Sequence, residues 1–267
     1  MNETELLFTE ILGCTRAQLY LEKKKILSRE NCLQISRALK RRVTGEPIEY
    51  ILGKTEFMGL EFAVNREVLI PRADTEVLVE TVLNYVTNSP SYQFSNPRIL
   101  ELGTGSGCIA VSLAKSLSEI AIVATDISQA ALDIAEDNAR KNKVSEKIKF
   151  LYADLFGSPQ LSGELYDLII SNPPYIKKNI LPTLAAEVGH EPRLALDGGE
   201  DGLDFYRRIF QEAPRHLKPG GLIMLEIGFD QKEELEKILK FLQIFEVKEV
   251  IKDYNNINRV MVLKLKE

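Results

Sequence analysis

The sequence predicts an α/β protein: a seven-stranded, mostly parallel sheet with an antiparallel edge, preceded by a small N-terminal helical bundle and a β-hairpin linker. Three observations carry that expectation. From Arg98 onward, short β-branched runs alternate with helical patterns, which implies parallel strands covered on both faces. Before Val43, apolar residues recur instead at helical spacing. Between Gly45 and Thr75 the apolar period drops to two around a glycine, as a hairpin requires. The expected divisions are residues 1–45 for the bundle, 46–75 for the linker and 76–267 for the main domain.

In the bundle, Leu6, Leu7, Ile11 and Leu12, then Leu19 and Leu21, then Leu33, Ile35, Ala38 and Leu39 mark successive helical stretches. Thr15 and Ser28 suit helix starts, and Gly13 and Gly45 suit helix ends. The runs Lys23-Lys24-Lys25 and Lys40-Arg41-Arg42 read as solvated helix faces, with an acidic or nucleic-acid-bound partner as the alternative. Residues 55–64 form the hairpin, and Leu69-Ile70-Pro71-Arg72 is extended before Asp74 or Thr75 caps a helix reaching Val86. A polar loop with two prolines, 89–97, precedes the alternation. There the order is strand 98–102, helix 106–117, strand 120–125, helix 128–141, and strands 148–152 and 165–170. Helix 204–217, strand 222–227 and helix 231–242 follow, and strands 245–251 and 260–265 close the chain as an antiparallel edge.

With 45% hydrophobic and 27% charged residues, the chain has the composition of a soluble protein with ample core. A net charge of -5 and a pI near 5.4 argue against holding duplex DNA by phosphate contact. No apolar run approaches bilayer length, and Met1-Asn2-Glu3-Thr4-Glu5 lacks the regions of a signal peptide, so no membrane association is expected. Cys14, Cys32 and Cys108 are odd in number and lie outside paired motifs, which fits a reducing cytoplasm and no zinc site. His190 and His216 are too far apart to suggest a metal cluster.

Glu101-Leu102-Gly103-Thr104-Gly105-Ser106-Gly107 follows the first sheet strand and opens a helix, where glycines let the backbone turn sharply and approach a ligand. Asp126 ends the next strand, where an acid can hold ribose hydroxyls, and Asp154 ends the third. Two cofactor classes compete for this arrangement. A dinucleotide fingerprint needs a third glycine three positions after the second, and Cys108 stands there. Glu101, Asp126 and Asp154 would also repel a pyrophosphate, whereas they suit a cationic adenosyl ligand, so S-adenosylmethionine is favoured over NAD. Cys108 itself reads as a packed, inert thiol.

The strand over 165–170 ends in Ser171-Asn172-Pro173-Pro174-Tyr175. Asn172 carries an amide that accepts and donates, while the prolines present carbonyls without N–H groups and hold the residues before them extended. Such a lip is stiff and rich in acceptors. It can grip an exocyclic amine or an amide, with Tyr175 leaning over what is held.

Taken together, these motifs resemble the class I S-adenosylmethionine-dependent methyltransferases. Within them the chain resembles the PrmC/HemK family, the glutamine methyltransferases of peptide chain release factors. The stretches that carry the resemblance are Gly45-Glu46-Pro47-Ile48-Glu49-Tyr50-Ile51-Leu52-Gly53, Val68-Leu69-Ile70-Pro71-Arg72-Ala73-Asp74-Thr75-Glu76, Leu102 to Ala110, Asn172-Pro173-Pro174-Tyr175-Ile176, and Glu191-Pro192 with Asp197 to Leu203. The resemblance implies a seven-stranded methyltransferase domain and, as partner and substrate, class 1 release factors, methylated on the glutamine of their Gly-Gly-Gln loop. By that likeness Gly103, Thr104, Gly105, Ser106 and Gly107 contact the methionine part of the cofactor, Asp126 the ribose, and Asp154 with Leu155 the adenine. Many members carry Trp where this chain has Leu155, and the chain has no Trp.

An amide nitrogen is a poor nucleophile, because its lone pair is delocalised into the carbonyl. The expectation is that Asn172 Oδ1 and the Pro173 carbonyl accept the two N–H bonds of the target amide, with Pro174 completing the lip and Tyr175 stacking on the amide or walling it. Asn172 then borders both cofactor and substrate. Two rivals share the lip: an adenine-N6 DNA methyltransferase, for which no basic recognition region is evident, and a noncatalytic cofactor-binding adaptor of translation factors. Glu187, His190, Glu191 and Arg193 lie in a long irregular segment after the lip, either shaping the peptide channel or serving as plain loop. The chain is expected to act as a cytoplasmic monomer.

Overall fold

Helical spacing and good caps build the amino-terminal bundle from α1 (Glu3–Leu12), α2 (Arg16–Leu21), α3 (Arg29–Val43) and α4 (Ile48–Leu52). The computed structural model describes residues 2–21, 26–89 and 94–266; Lys23-Lys24-Lys25 and part of the polar loop, residues 90–93, lie outside them. Ser28 accepts the Asn31 N–H at 3.0 Å, and Thr15 accepts that of Gln18 at 3.2 Å, so both expected caps form. Gly13 ends α1 with φ 59°, a left-handed cap that costs glycine little. Leu7, Ile35, Ala38 and Ile48 make the buried centre. From the sequence a linker is expected to begin at residue 46; instead the bundle continues through α4. Ile48 faces the bundle, while Tyr50 packs on the other side with Val64, Val68, Ile70 and Ala131.

On α3, Lys40 and Arg41 are exposed, as a solvated face requires, while Arg42 is half-buried, and both arginines are also engaged in ion pairs. Arg41 pairs with Glu46 at 2.7 Å, and Arg42 bridges Glu3 at 2.8 Å and Glu187, which lies beyond the lip. The hairpin follows as β1 (Lys54–Phe57) and β2 (Leu60–Ala63), antiparallel, with Phe57 and Phe62 edge to face. Its second strand is tied to the main domain by Asn138, whose side chain accepts from the Ala63 N–H at 2.7 Å and donates to the Ala63 carbonyl at 3.0 Å.

The next helix, α5 (Ala73–Thr87), starts earlier than expected. Arg72 occupies its N-cap without a side-chain bond, so neither Asp74 nor Thr75 caps it. Both already lie in the first turn: Asp74 pairs with Arg259 at 2.9 Å, and Thr75 turns to the lip described below.

The main sheet has the order β5-β4-β3-β6-β7-β9-β8, built from β3 (Arg98–Leu102), β4 (Ala121–Asp126), β5 (Ile148–Tyr152), β6 (Tyr166–Ser171), β7 (Leu217–Glu226), β8 (Phe245–Lys252) and β9 (Asn258–Leu265). The first five strands are mutually parallel, and β9 runs antiparallel between β7 and β8. Alternation along a strand sends side chains to opposite faces. On β6, Leu168 and Ile170 join the core under α5, α6 (Cys108–Ser116) and α7 (Gln129–Lys141), while Ile169 joins the core under α8 (Asp204–Glu212) and α9 (Lys232–Leu242). The helix expected to reach Leu217 stops at Glu212, because Pro214 cannot continue it and a tight 3₁₀ turn, Ala213–Arg215, follows.

Candidate active site

Three strands end level with one another. Leu102 stands opposite both Thr125 and Ser171, so the chain leaves β3 at Gly103, β4 at Asp126 and β6 at Asn172 side by side. The connections run to opposite sides of β3, and open α/β sheets bind ligands at such a switch point. A cavity of about 280 Å³ opens there. Gly103, Thr104, Gly105, Ser106, Asp126, Asp154, Leu155, Asn172, Pro173 and Pro174 all line it. Two expected site residues do not. Gly107 turns to α7, where an added Cβ would meet the Ala135 Cβ at 3.0 Å, and Tyr175 turns inward.

The glycine loop folds onto the end of β4. The N–H groups of Gly103 and Thr104 both donate to the Thr125 carbonyl at 2.9 Å, and Gly105 donates to Asp126 Oδ2 at 2.8 Å. Gly105 has φ 55°, and a Cβ placed on it would meet nothing within 4 Å, so the loop leaves open room for a ligand. Asp126 Oδ1 accepts from Ser128 N–H at 2.9 Å. Each oxygen keeps a second lone pair, which suits a pair of ligand hydroxyls. Burial raises the Asp126 pKa, against the hydrogen bonds it takes from backbone N–H groups.

The expected electrostatics need correction at two of the three acids. Glu101 does not face the cavity; it lies under the loop, fully buried, accepting from the Thr104 hydroxyl at 2.8 Å. Burial pushes its carboxyl up to about 8, so it carries little charge at neutral pH. Asp154 lines the cavity but pairs with Arg208 at 2.8 Å. Among the described residues, Asp126 and Glu67 are the acids that line the cavity with no cation paired to them. Burial drives the Cys108 thiol up to about 12, as an inert thiol requires.

At the lip, Asn172 Nδ2 donates to Thr75 Oγ1 at 3.1 Å. That leaves Oδ1, a free acceptor, for the cavity. Ser171 Oγ holds the strand end by donating to the Leu102 carbonyl at 2.7 Å. Tyr175 was expected over the bound group; its hydroxyl instead faces Glu226 Oε1 at 3.3 Å, because the ring packs into the core beneath α8 and α9. Burial raises the Tyr175 pKa and pushes Glu226 up to about 7. The lip backbone is clamped from behind by the segment after it. Ile176 pairs with Asp197, Gln231 Nε2 donates to the Tyr175 carbonyl at 3.0 Å, and a Cβ on Gly198 or Gly202 would collide with Tyr175 backbone at 2.7 and 2.5 Å.

Of the irregular segment, Glu191 is the anchor. Its buried carboxylate pairs with Arg72 and accepts the Ile70 N–H at 3.1 Å, tying the loop to the linker. Glu187 pairs with Arg42, and Arg193 with Asp197 at 3.3 Å. None of these four candidates lines the cavity; their neighbours Pro192, Leu194 and Ala195 do. Thr75, Arg208 and Glu226 were not foreseen as site residues, since their partners lie far away in sequence and no local pattern announces them.

Two family models match the chain: the PrmC N-terminal domain over residues 1–53 and the methyltransferase small domain over residues 74–190. The release factor glutamine methyltransferase of Moorella thermoacetica is 41% identical over 265 residues, covering 99% of this chain and 91% of that protein. That of Geobacter sulfurreducens is 43% identical over 232 residues, covering 86% and 78%. Among solved structures, the hMettl16 catalytic domain in complex with a MAT2A 3'UTR hairpin superposes with a TM-score of 0.61 at 16% identity, covering 90% of this chain and 83% of that one. At that identity the likeness is one of fold.

Proposed function

The chain belongs to the family of release factor glutamine methyltransferases, and we propose that it methylates the side-chain amide nitrogen of the glutamine in the Gly-Gly-Gln loop of class 1 release factors, with S-adenosylmethionine as donor. The observation that carries this reading is the orientation of Asn172: its Nδ2 is held by Thr75, so its Oδ1 is offered to the cavity beside the glycine loop and Asp126.

The cradle fits the donor. Open space above Gly103 and Gly105, a buried Ser106 Oγ without a partner, and the spare lone pairs of Asp126 are what an adenosyl ligand with ribose hydroxyls needs. When bound, S-adenosylmethionine supplies a methyl group already activated on a sulfonium. The protein's own task is alignment and charge. Asn172 Oδ1 and the Pro173 carbonyl accept the two N–H bonds of the target amide, which aims its nitrogen and favours the positive charge growing on it. That is an oxyanion hole with the sign reversed. No base is required before attack, since the proton becomes acidic only as the new bond forms. Leu155 and Asp154 border the adenine side. The helical bundle, joined to the main domain by the Arg42–Glu187 pair, is the part we assign to release factor selection. The same assignment makes the protein a cytoplasmic one.

Asn172→Ala should lower the single-turnover methylation rate on a release factor by on the order of 10²-fold, the usual cost of losing one oriented charge-stabilising contact. S-adenosylmethionine affinity should change little. Near-normal single-turnover methylation would remove Asn172 from the mechanism.

A further inference from the structure

We infer that Phe205 and Arg208, on one edge of α8, complete the base end of the donor cavity: Phe205 walls the adenine, and Arg208 holds the Asp154 carboxylate so that one of its oxygens reads the exocyclic amine. The inference rests on the S-adenosylmethionine reading above.

The order β5-β4-β3-β6 sets out the strand ends as a row: Asp154 two residues past β5, Asp126 at the end of β4, the glycine loop after β3 and Asn172 after β6. Neighbouring strands lie about 4.8 Å apart, so the row spans roughly 14 Å from the lip to Asp154. A donor whose ribose sits at Asp126 and whose methyl group reaches the lip must carry its base the other way, toward Asp154. Asp154, Leu155, Phe205 and Arg208 all line the cavity.

Two of these come from α8. Tyr206, Ile209 and Phe210 are fully buried in the core, which fixes the roll of the helix and leaves Phe205 and Arg208, about one turn apart, at the cavity. The Arg208 Cζ lies 5.8 Å from the Phe205 ring centroid, and its Nη2 reaches Asp154 Oδ1 at 2.8 Å. The acid springs from a fixed point, because the chain turns at Leu155 with φ 53° and the Gly157 N–H returns to the Asp154 carbonyl at 3.0 Å. With Oδ1 taken by the guanidinium, Oδ2 is left as the acceptor for a ligand. A carboxylate oxygen takes only donors, and the amino group is the donor that adenine offers. The ion-paired side chains are 40% and 49% exposed, so the pair itself adds little stability. Its use is to aim the acid.

Binding of S-adenosylhomocysteine and of its purine analogue, in which hydrogen replaces the 6-amino group, is measured by isothermal titration alongside thermal unfolding. The unsubstituted chain should prefer the adenosyl form by about tenfold or more, the usual cost of an unmade hydrogen bond to a charged group. Arg208→Met keeps the stem and removes the fork, and should cut that preference by about threefold or more with the unfolding midpoint unchanged. Asp154→Ala should abolish it. Phe205→Leu stays apolar and should weaken both ligands alike, by about three- to tenfold, since only the aromatic face is lost. A merely structural pair would instead lower the midpoint and leave the preference intact. The inference is overturned if the unsubstituted chain shows no preference, if Arg208→Met or Asp154→Ala keeps it in full, or if Phe205→Leu binds both ligands normally. Should Phe205→Leu not fold, Arg208→Met and Asp154→Ala still decide. Failure of the unsubstituted chain to bind S-adenosylhomocysteine at all would instead refute the cofactor reading on which the inference rests.

Discussion

Substituting Gly198 by Ala tests how tightly the lip is held from behind. The new Cβ would stand 2.7 Å from the Tyr175 Cα and 2.8 Å from its carbonyl carbon, where an ordinary contact begins at 3.4 Å. About 0.7 Å of movement is needed, and both neighbours are backbone, so no side chain can swing away. Gly198 cannot easily retreat, because its N–H donates to the Ile176 carbonyl at 2.9 Å and its own carbonyl takes the Asp204 N–H at 3.2 Å. Its φ lies outside the left-handed region, so the substitution tests space alone. Overpacking of this kind costs roughly 1–3 kcal/mol of stability. A displaced lip costs more in rate: misplacing a reacting group by about 1 Å is worth around 10²-fold, so a loss on the order of 10- to 100-fold in kcat is expected. The assay is steady-state methylation of a release factor, with S-adenosylmethionine affinity measured by calorimetry, which should barely change. A variant with unchanged kcat and unfolding midpoint would refute the idea that the Asp197 to Leu203 segment sets the lip.

Two further outcomes follow from the cradle. Asp126→Ala should weaken S-adenosylmethionine binding by about tenfold or more, because ribose acceptors disappear and the Gly105 N–H loses its partner; unchanged affinity in isothermal titration would contradict that role. Glu101 gives a pH signature. Burial raises its carboxyl from 4.5 to about 8, so between those values the folded chain keeps a proton that the unfolded chain has released. Stability from this group therefore falls as pH rises from about 4.5 through 8. Glu101→Gln, which can still accept from Thr104, should show a shallower decline of the unfolding midpoint over that window, and an identical pH profile would argue against a buried neutral acid.

What was legible in the sequence was what neighbouring residues decide together. The seven strands follow from short β-branched runs, and the glycine loop and strand-end acids from their positions at the ends of those runs. The lip was legible because prolines restrict their own surroundings. By contrast α4 is five residues after a proline, too short to show a period, and exists because Ile48 and Tyr50 find partners on opposite sides. The contact of Thr75 with Asn172 joins residues 97 positions apart. Glu101 and Tyr175 are of residue types that suggested the cavity, but their side chains turn to the interior. Residue type alone does not say which face of a strand end a side chain takes. The ion pairs of Arg41 and Arg42 leave no local pattern, because Glu3 and Glu187 lie far from Arg42 in the chain and Glu46 lies past the end of α3.

The central claim is that the Asn172 lip presents a protein amide to the methyl donor. The direct measurement is to incubate the chain with methyl-labelled S-adenosylmethionine and either a class 1 release factor or duplex DNA, then locate the label by peptide mass spectrometry. One methyl group on the side-chain amide of the Gly-Gly-Gln glutamine, and none on DNA, is the expected result. Label on adenine, or on any release factor residue other than that glutamine, would contradict it.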